Sequence, residues 1–437
     1  MLTSEQQFIS RLQRTQWLSP DDLALYQRPL IERLVRHAAT QTEFYLTRLA
    51  PLFGGGDPTT ARFDFSQWSS VPIIARADAI HHVEQMQARQ VPPETGDIRK
   101  GESSGSTGRS LKHARSTIAD VVANCMLDRV YELFDMDLAG TFAVLTWDRN
   151  GQHSYPGGSK AKEWNRTNPD AEVHVLNIDT SPANQLEWLE RMRPAHVMTY
   201  PMNMFSLAEV AVKRASGFTF NTFISTGEVL AADTRAIIAR TFGCRVIDVY
   251  GVREIGQVAF QCPDADCYHF CSEAVLCELL DEQNNHVSAG HYGRVVVTAL
   301  YNFAMPFIRY DIGDFALASK APCSCGRGLG SIDLIGGRTR NMFVMPDGSR
   351  KRGAIGMLGQ VSDFLSYAQI QLVQRDVDTI DVIYVPDDVT VLPDLQSLTE
   401  LLRGVLQPRV TVRLVPVDRI ERGAGMKIEQ FISCISK

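Results

Sequence analysis

The segment from Gly101 to His113 combines residue types that bind anions. It reads GESSGSTGRSLKH, in which small flexible residues are followed by cationic ones. Glycine lets the backbone approach a ligand closely, and successive N–H groups and hydroxyls can surround a phosphate. The same composition is typical of a flexible linker. The run alone therefore supports two interpretations, a linker or an anion-binding loop, and it is not a Walker-type loop because no Gly-Lys-Ser/Thr follows.

A second region carries the residue types that bind zinc. Six of the nine cysteines lie between Cys262 and Cys325, in the segments CPDADCYHFC and PCSCGRG and in one strand between them. Zinc takes four sulfur or nitrogen ligands, often as two short pairs that the fold brings together. One pair from each segment would complete such a site, and reduced core thiols are the alternative. The candidate ligands are Cys262, Cys267, His269, Cys271, Cys323 and Cys325.

Length and composition indicate a globular protein of two domains. The chain has 437 residues, which exceeds one ordinary core, and it is 44% hydrophobic and 22% charged. A net charge of −6 argues against a nucleic-acid partner. No stretch has the roughly 18 apolar residues of a membrane span, and the N-terminus lacks the apolar core of a signal peptide. We therefore expect no membrane association, a cytoplasmic location and reduced cysteines.

Strands and helices alternate through the middle of the chain. Between residues 141 and 251, short apolar runs alternate with amphipathic helices, which is typical of parallel strands covered by helices. The later segment AVLCELLDEQNNHVSAGHYGRVVVTAL predicts an antiparallel hairpin. We predict an α/β fold with a large domain over residues 1–337, which holds helix-covered sheets and an antiparallel subdomain. A small, mobile α+β domain would follow over residues 338–437.

Five motifs occur along the chain in a recognisable order: SSGSTG at 103–108, YGVREIG at 250–256, RYDIGD at 309–314, GGRTRNM at 336–342 and GMK at 425–427. Together they resemble the adenylate-forming superfamily of acyl-CoA synthetases, peptide-synthetase adenylation domains and luciferases. The segments AMPFIRY and CSCGR are most similar to those of phenylacetate–CoA ligases. Acyl-protein synthetases, which share the Gly/Ser loop, are the second resemblance. The similarity extends from about Pro72 to the end of the chain.

The resemblance implies a site for ATP and Mg²⁺. The Gly/Ser loop would enclose the β- and γ-phosphates, and Glu254 would bind Mg²⁺, which prefers oxygen ligands. Asp314 would accept the ribose hydroxyls, Tyr250 would stack near the adenine, and Arg338 would contact ribose or phosphate. The loop residues in this set are Ser103, Ser104, Gly105, Ser106, Thr107 and Gly108, with Thr107 counted as catalytic. The other residues assigned to the nucleotide pocket are Thr226, Gly227, Glu228, Asp248 and Gly251.

The resemblance also assigns Lys427 as the mobile catalytic cation, which would contact the acid carboxylate and the α-phosphate. Three positions depart from the family pattern. Met426 separates Gly425 from this lysine, and Arg253 replaces the usual Ser or Thr before Glu254. Arg340 and Asn341 stand where two acidic hinge residues are usual, which changes the electrostatics of the expected domain rotation.

The acid and metal sites follow from the same resemblance. The residues predicted to contact the acid are Trp147, Tyr200, Met202 and Gly256, and the polar segment after Trp147 indicates an aromatic or polar acid. The phenylacetate–CoA ligase pattern favours a structural zinc on Cys262, His269, Cys323 and Cys325. Cys267 and Cys271 remain alternatives to His269.

The predicted activity is ATP-dependent conversion of a carboxylic acid to an acyl-adenylate, with release of pyrophosphate, followed by transfer to the thiol of CoA. ATP, Mg²⁺, structural Zn²⁺ and the co-substrate CoA are the expected cofactors, and a homodimer is left open. Two alternatives remain. The first keeps adenylation but transfers the acyl group to a carrier-protein thiol or an amine, and the second is a catalytically silent nucleotide-binding homologue.

Overall fold

The computed structural model of the chain describes residues 4–103, 110–148, 150–338, 342–346, 350–352, 361, 363–367, 369–387, 390–420 and 431–435. The first part of the chain is mainly helical. Its elements are α1 (Ser4–Thr15), α2 (Pro20–Gln41), α3 (Arg76–His81), α4 (Val83–Met86), β1 (Ile98–Glu102), β2 (Lys112–Ser116) and α5 (Thr117–Leu133). Strands β1 and β2 form a separate antiparallel ribbon, in which Glu102 lies opposite Lys112. Residues 104–109 therefore lie, in the sequence, between two strands that pair with each other.

The middle of the chain alternates strands and helices as expected from the sequence. The elements are β3 (Phe142–Thr146), β4 (Ser159–Lys162), β5 (Glu172–Asn177), α6 (Pro182–Met192), β6 (His196–Thr199), α7 (Pro201–Lys213), β7 (Thr222–Thr226), α8 (Ala232–Phe242) and β8 (Arg245–Val252). Apolar side chains cover one face of each helix, and Ser181 caps α6 by accepting a hydrogen bond from the Asn184 amide. Strands β5, β3, β6, β7 and β8 are parallel neighbours in that order.

A run of antiparallel strands follows. Its members are β9 (Gly256–Gln261), β10 (Tyr268–Phe270), β11 (Val275–Leu280), β12 (Tyr292–Ala299), β13 (Tyr310–Ala318) and β14 (Ser331–Arg338). All of them join the parallel strands in one 12-stranded sheet, in the order β11-β12-β13-β14-β10-β9-β8-β7-β6-β3-β5-β4. The predicted antiparallel part is therefore present, and it continues the parallel sheet through the β8–β9 pair.

The C-terminal part has its own small sheet. Its elements are β15 (Met342–Val344), β16 (Arg350–Arg352), β17 (Gln369–Asp376), β18 (Thr379–Val385), α9 (Leu395–Val405), β19 (Thr411–Pro416) and β20 (Phe431–Ser433). The strand order of the four-stranded sheet is β19-β18-β17-β20. One buried apolar cluster is formed entirely by residues between Phe343 and Phe431, separate from the two clusters of the larger part. The α+β character expected for this region is confirmed.

Among the described residues, no helix combines the length and the apolar character needed to cross a bilayer.

Candidate functional site

Glu254 lies in a buried position at the turn between β8 and β9. Its side chain is 3% exposed, and its Oε1 atom accepts hydrogen bonds from Arg76 Nη1 at 3.1 Å and from the Tyr310 hydroxyl at 3.0 Å. Burial, together with the negative charge of Glu254, raises the pKa of Tyr310 well above its usual value, so the hydroxyl stays a neutral donor. Both hydrogen bonds that Glu254 accepts from described residues go to Oε1.

Arg76, at the start of α3, links Glu254 to the Gly/Ser segment. Its Nη2 atom donates to Ser103 Oγ at 2.7 Å, and the same hydroxyl accepts the Leu111 amide at 3.1 Å. No sequence motif marks Arg76, since its partner Glu254 lies 178 positions away and only the fold brings the two side chains together.

The β1–β2 ribbon fixes both ends of the Gly/Ser segment. The Ser103 amide donates to the Leu111 carbonyl at 2.9 Å, which closes the ribbon where the segment begins and ends. His113 is buried below this point, and a Cβ atom added to Gly101 would lie 2.6 Å from His113 Nε2. Burial lowers the pKa of His113, although the nearby Glu254 carboxylate acts in the opposite direction. Ser104, Gly105, Ser106, Thr107 and Gly108, like Lys427, Arg340 and Asn341, lie outside the described residues.

The side chains of Asp314 and Tyr250 meet although their strands, β13 and β8, are not adjacent in the large sheet. The Tyr250 hydroxyl donates to Asp314 Oδ2 at 2.8 Å, and both side chains are largely buried. The backbone of Arg338 lies opposite Asp314 in the β13–β14 pair, while its side chain is outside the described part. Gly337 has a φ of +74°, and an added Cβ atom there would lie 2.9 Å from Val229. The structure thus brings the predicted ribose residues next to the segment that follows Thr226.

Asp248 was predicted to contact the nucleotide, and its carboxylate is bound by protein groups. Ser225 Oγ donates to Oδ1 and the Tyr268 hydroxyl donates to Oδ2, each at 2.7 Å. Asp248 is only 4% exposed, and burial raises its pKa to about 6, although both hydroxyl donors oppose that shift. The geometry places this carboxylate beneath the strand ends that carry Thr226 and Tyr250.

The segment after β7 forms a turn beside α7. Gly227 has a φ of +76°, which glycine adopts without strain, and Glu228 Oε2 accepts the Met202 amide at 3.3 Å. Burial raises the pKa of the hydroxyl of Tyr200, which precedes α7, although the nearby Arg253 cation acts in the opposite direction. Two residues predicted for the nucleotide pocket, Gly227 and Glu228, therefore lie next to two predicted acid-contact residues. The latter are Tyr200 and Met202.

A polar cavity of about 750 Å³ opens between the β1–β2 ribbon and the loop after β3. Trp147, Asp148 and His153 line one side, and His113 and Arg253 line the other. Hydrogen bonds organise the loop, because Asp148 accepts the Asn150 amide at 2.8 Å and the His153 amide at 2.6 Å. Among the predicted acid-contact residues, Trp147 lines this cavity, and Tyr200 lies near Arg253, which also lines it.

Gly256 and Gly251 have a packing role at the β8–β9 turn. Gly256 has a φ of +106°, and an added Cβ atom would lie 3.0 Å from Ala123 Cβ and 3.2 Å from Arg115 Nη2. A Cβ atom at Gly251 would lie 2.7 Å from the Gly256 carbonyl oxygen. A side chain at Gly256 would push the turn that carries Glu254 away from α5, and one at Gly251 would push β8 and β9 apart at the same turn. Of these two, only Gly251 was predicted to line the nucleotide pocket.

The cysteine-rich segments come together at one end of β9, β10 and β14. Cys262, Cys267, His269 and Cys323 each offer a ligand atom, and these four atoms lie within 4.8 Å of one another. Cys323 Sγ is 3.8 Å from Cys262 Sγ and 3.5 Å from Cys267 Sγ. Two sulfurs bound to one tetrahedral zinc at about 2.3 Å would be about 3.8 Å apart. We call these four residues, together with Cys325, the thiol cluster.

Cys325 and Cys271 differ in their relation to the thiol cluster. Cys325 Sγ lies 3.3 Å from His269 Nε2 and accepts the Arg327 amide at 3.4 Å. Cys262 Sγ accepts the Asp264 amide at the same distance, and backbone amides of this kind stabilise thiolates that bind a metal. Cys271 is fully buried beside Arg129, outside the group of four. Sequence spacing alone did not separate Cys267 from Cys271, and the fold does.

Comparison with known proteins supports the resemblance to CoA ligases that the sequence motifs indicate. No protein-family model matches the chain. A phenylacetate-coenzyme A ligase of Thermus thermophilus is 28% identical over 170 residues, which is 37% of this chain and 38% of that protein. The sequence match thus spans well under half the length of this curated relative.

Solved structures match over most of the chain. 2-Hydroxyisobutyryl-CoA ligase in the postadenylation state, in complex with 2-HIB-AMP, has a TM-score of 0.71 and 18% identity over 93% of this chain and 88% of that chain. The same enzyme with 2-HIB-AMP and CoA, in the thioesterification state, has a TM-score of 0.60 and 18% identity over 96% of this chain and 91% of that chain. The predicted fold and the resemblance to adenylate-forming CoA ligases, including phenylacetate–CoA ligases, are confirmed.

Proposed function

We propose that this protein is an AMP-forming acid–thiol ligase that activates a carboxylic acid with ATP and transfers the acyl group to CoA. The observation that carries the proposal is a set of contacts: Arg76 joins Glu254 to Ser103 at the base of the Gly/Ser segment, and Tyr250, four residues before Glu254, donates to Asp314. The fold of the chain is shared with an enzyme solved with an acyl-adenylate and with CoA. The chain does not need a covalent intermediate, because positioning and charge stabilisation suffice for both steps.

In the first step, a carboxylate oxygen of the acid attacks the α-phosphorus of ATP, and the bond from that phosphorus to the bridging oxygen breaks. Pyrophosphate leaves with the bonding electrons. The Gly/Ser segment would hold the β- and γ-phosphates, with Ser103 and Arg76 at its base. Arg76 places a guanidinium beside this segment, where it offsets phosphate charge. Asp314 and Tyr250 would hold the ribose and adenine, so the α-phosphorus is fixed between two anchored ends.

Glu254 fits a Mg²⁺ ligand because it is a buried carboxylate whose Oε1 atom is already oriented by Arg76 and Tyr310. Bound Mg²⁺ would supply charge neutralisation on the triphosphate. Lys427 would supply the cation at the carboxylate and α-phosphate. In the second step, the CoA sulfur attacks the acyl carbon, the carbon–oxygen bond to AMP breaks, and the thiol proton passes to solvent.

The same proposal includes the two-domain organisation and the location of the protein. The small unit that carries Lys427 would begin near residue 338 and act as a mobile lid. Its separate apolar cluster, between Phe343 and Phe431, supports this division. A cytoplasmic location, where thiols stay reduced, belongs to the proposal as well.

The wall of the polar cavity supports an aromatic or polar acid. Trp147 offers an aromatic face, and Asn150, Gln152 and His153 offer hydrogen-bonding groups beside it. Because the loop that carries them is held by its own hydrogen bonds, these groups are positioned before a substrate arrives.

A panel of carboxylic acids, read by pyrophosphate release with ATP and Mg²⁺, tests the proposed function. We expect release with at least one aromatic acid that carries a hydroxyl, amino or second carboxyl group, and faster AMP release when CoA is added. AMP release that responds instead to a carrier protein or an amine would move the function to the alternative acceptor. ATP binding without turnover of any acid would identify a silent homologue and contradict the ligase.

We also propose that the thiol cluster binds a structural zinc. Four sulfur or nitrogen ligands close the coordination sphere, which leaves no position for a substrate. The interatomic distances fit this geometry for Cys262, Cys267, His269 and Cys323, and Cys325 is the alternative ligand at the His269 side. The set of four ligands predicted from the sequence contained Cys325, whereas the interatomic distances favour Cys267 in its place.

Metal analysis of the purified protein provides the test. We expect about one equivalent of zinc in the wild type and a clear loss in Cys267→Ser and Cys323→Ser, because each removes a ligand. Cys271→Ser is the matched control, since that thiol is buried nearby but lies outside the group of four, and it should keep its zinc. Less than half an equivalent in wild-type protein grown with added zinc would contradict the site.

A further inference from the structure

Two residues next to the thiol cluster face away from it, toward the nucleotide side of the sheet. Gln261 precedes Cys262 at the end of β9, and Tyr268 precedes His269 on β10. The two lie opposite each other in the antiparallel β9–β10 pair. Successive side chains of a strand point to opposite faces, so a strand that presents a ligand on one face presents its neighbour on the other. The position of the cluster thereby sets the position of Gln261 and Tyr268.

Gln261 and Tyr268 both hold Asp248 on the adjacent strand β8. The Tyr268 hydroxyl donates to the Asp248 carboxylate at 2.7 Å, and Gln261 Oε1 accepts the Asp248 amide at 3.1 Å. Arg235 fixes the same Gln261 oxygen by donating to it at 3.0 Å. Asp248 is therefore held through both its backbone and its side chain by neighbours of the cluster.

Asp248 connects in turn to both sides of the proposed nucleotide pocket. Its other carboxylate oxygen accepts the hydroxyl of Ser225, which directly precedes Thr226 and the Gly227 turn. Two residues along β8, Tyr250 donates to Asp314. A continuous series of hydrogen bonds and short strand segments thus runs from the thiol cluster to the residues expected to hold adenine and ribose.

We propose that the metal-bound thiol cluster sets the affinity of this protein for ATP, with Tyr268 as the positioning residue that transmits the effect through Asp248. This inference rests on the proposed function, because it takes the pocket beside Tyr250 and Asp314 as the nucleotide site. Cys262, Cys267 and His269 would hold the metal, and their shared coordination would fix the loop from Cys262 to Cys267 and the end of the β9–β10 hairpin.

The physical reason lies in the cost of an unsatisfied buried carboxylate. Within the described residues, the Cys262–Cys267 loop is held by the hydrogen bond from the Cys262 amide to the Cys267 carbonyl, by the ion pair of Asp264 with Arg327 at 2.9 Å, and by the thiol contacts. Without a metal, the ligand residues of the two segments are no longer tied to one centre, and the hairpin end is held less firmly. A buried carboxylate that loses a hydroxyl donor is destabilised, so β8 and the Ser225 segment shift to recover a partner. The pocket formed by these strand ends then fits the nucleotide less well.

The dissociation constant of ATP, measured by titration calorimetry with and without zinc, tests the proposal in wild type and in Tyr268→Phe. Chelation should weaken ATP binding by the wild type about tenfold, the effect of one lost buried hydrogen bond. Tyr268→Phe with a full equivalent of zinc should show a similar loss. Zinc removal from Tyr268→Phe should add less than about threefold, because coupled changes are not additive. Tyr292→Phe, at a tyrosine that is 48% exposed, is the matched control and should behave as wild type.

Three results would overturn the inference. The first is an unchanged ATP affinity in zinc-free wild type that keeps its circular dichroism spectrum. The second is an unchanged affinity in zinc-loaded Tyr268→Phe, which decides the matter even if zinc removal unfolds the protein. The third is a zinc-removal effect on ATP affinity that is as large in Tyr268→Phe as in the wild type. Zinc and Tyr268 would then act on ATP affinity independently. Failure of the proposed function is distinguishable, because it would appear in the zinc-loaded wild type as absent ATP binding or as ATP binding without turnover of any acid.

Discussion

Replacing Glu254 with Gln is expected to lower the rate of adenylate formation by about a thousandfold. The amide keeps the shape of the side chain and can still accept the Tyr310 hydroxyl, which now donates at 3.0 Å. It has no negative charge with which to bind Mg²⁺ or to balance Arg76, which lies 3.1 Å away. Pyrophosphate release at saturating acid measures the effect, and a Mg²⁺ titration should show a much higher half-saturating concentration in the variant.

Glu43→Gln is the matched control for this substitution. Glu43 follows α2 and pairs with Arg89 in an exposed position, so the same change of charge should leave turnover unchanged. A Glu254→Gln protein that keeps its fold and retains more than a tenth of wild-type activity would remove Glu254 from the proposed metal site.

Lys427→Ala is expected to reduce adenylate formation by at least about a hundredfold while the dissociation constant of ATP changes less than about threefold. The reason is that the lysine would meet its full electrostatic partner only as charge develops around the α-phosphorus, and an interaction made in the transition state alone affects turnover more than binding. Pyrophosphate release and ATP titration separate the two quantities.

Lys162→Ala provides the comparison, because Lys162 is exposed on β4 and pairs with Asp170. We expect wild-type behaviour from it in both assays. Equal losses of turnover and ATP affinity in Lys427→Ala would reject the assigned role, since they would indicate a ground-state contact.

Much of the local structure followed from the sequence because it depends on local patterns. The apolar runs at 141–147 and 172–178 became β3 and β5, and the amphipathic run beginning at Pro182 became α6. What these patterns could not supply is the order of strands. The pairing of β10 with both β9 and β14 joins segments about sixty residues apart, and this pairing merges the antiparallel strands into the parallel sheet.

Some residues of the candidate site were predicted from the sequence, and others were found only through the fold. Motif spacing located Glu254, Tyr250 and Asp314, and the fold brings Tyr250 and Asp314 into direct contact. Arg76 carries no motif and was found only through its contacts. Asp248 was assigned to the nucleotide pocket from the resemblance, but its environment depends on Ser225 and Tyr268, which no local pattern connects to it.

The β1–β2 ribbon has a consequence for the order in which products depart. Among the described strands, β1 and β2 pair only with each other, whereas Tyr250 and Asp314 belong to the 12-stranded sheet. The residues that would bind the triphosphate tail and those that would bind the nucleoside therefore belong to two separate sheets. If the proposed function holds, a tilt of the ribbon would loosen the tail without disturbing the nucleoside, and pyrophosphate would diffuse out while the activated acid stays in place for the incoming thiol.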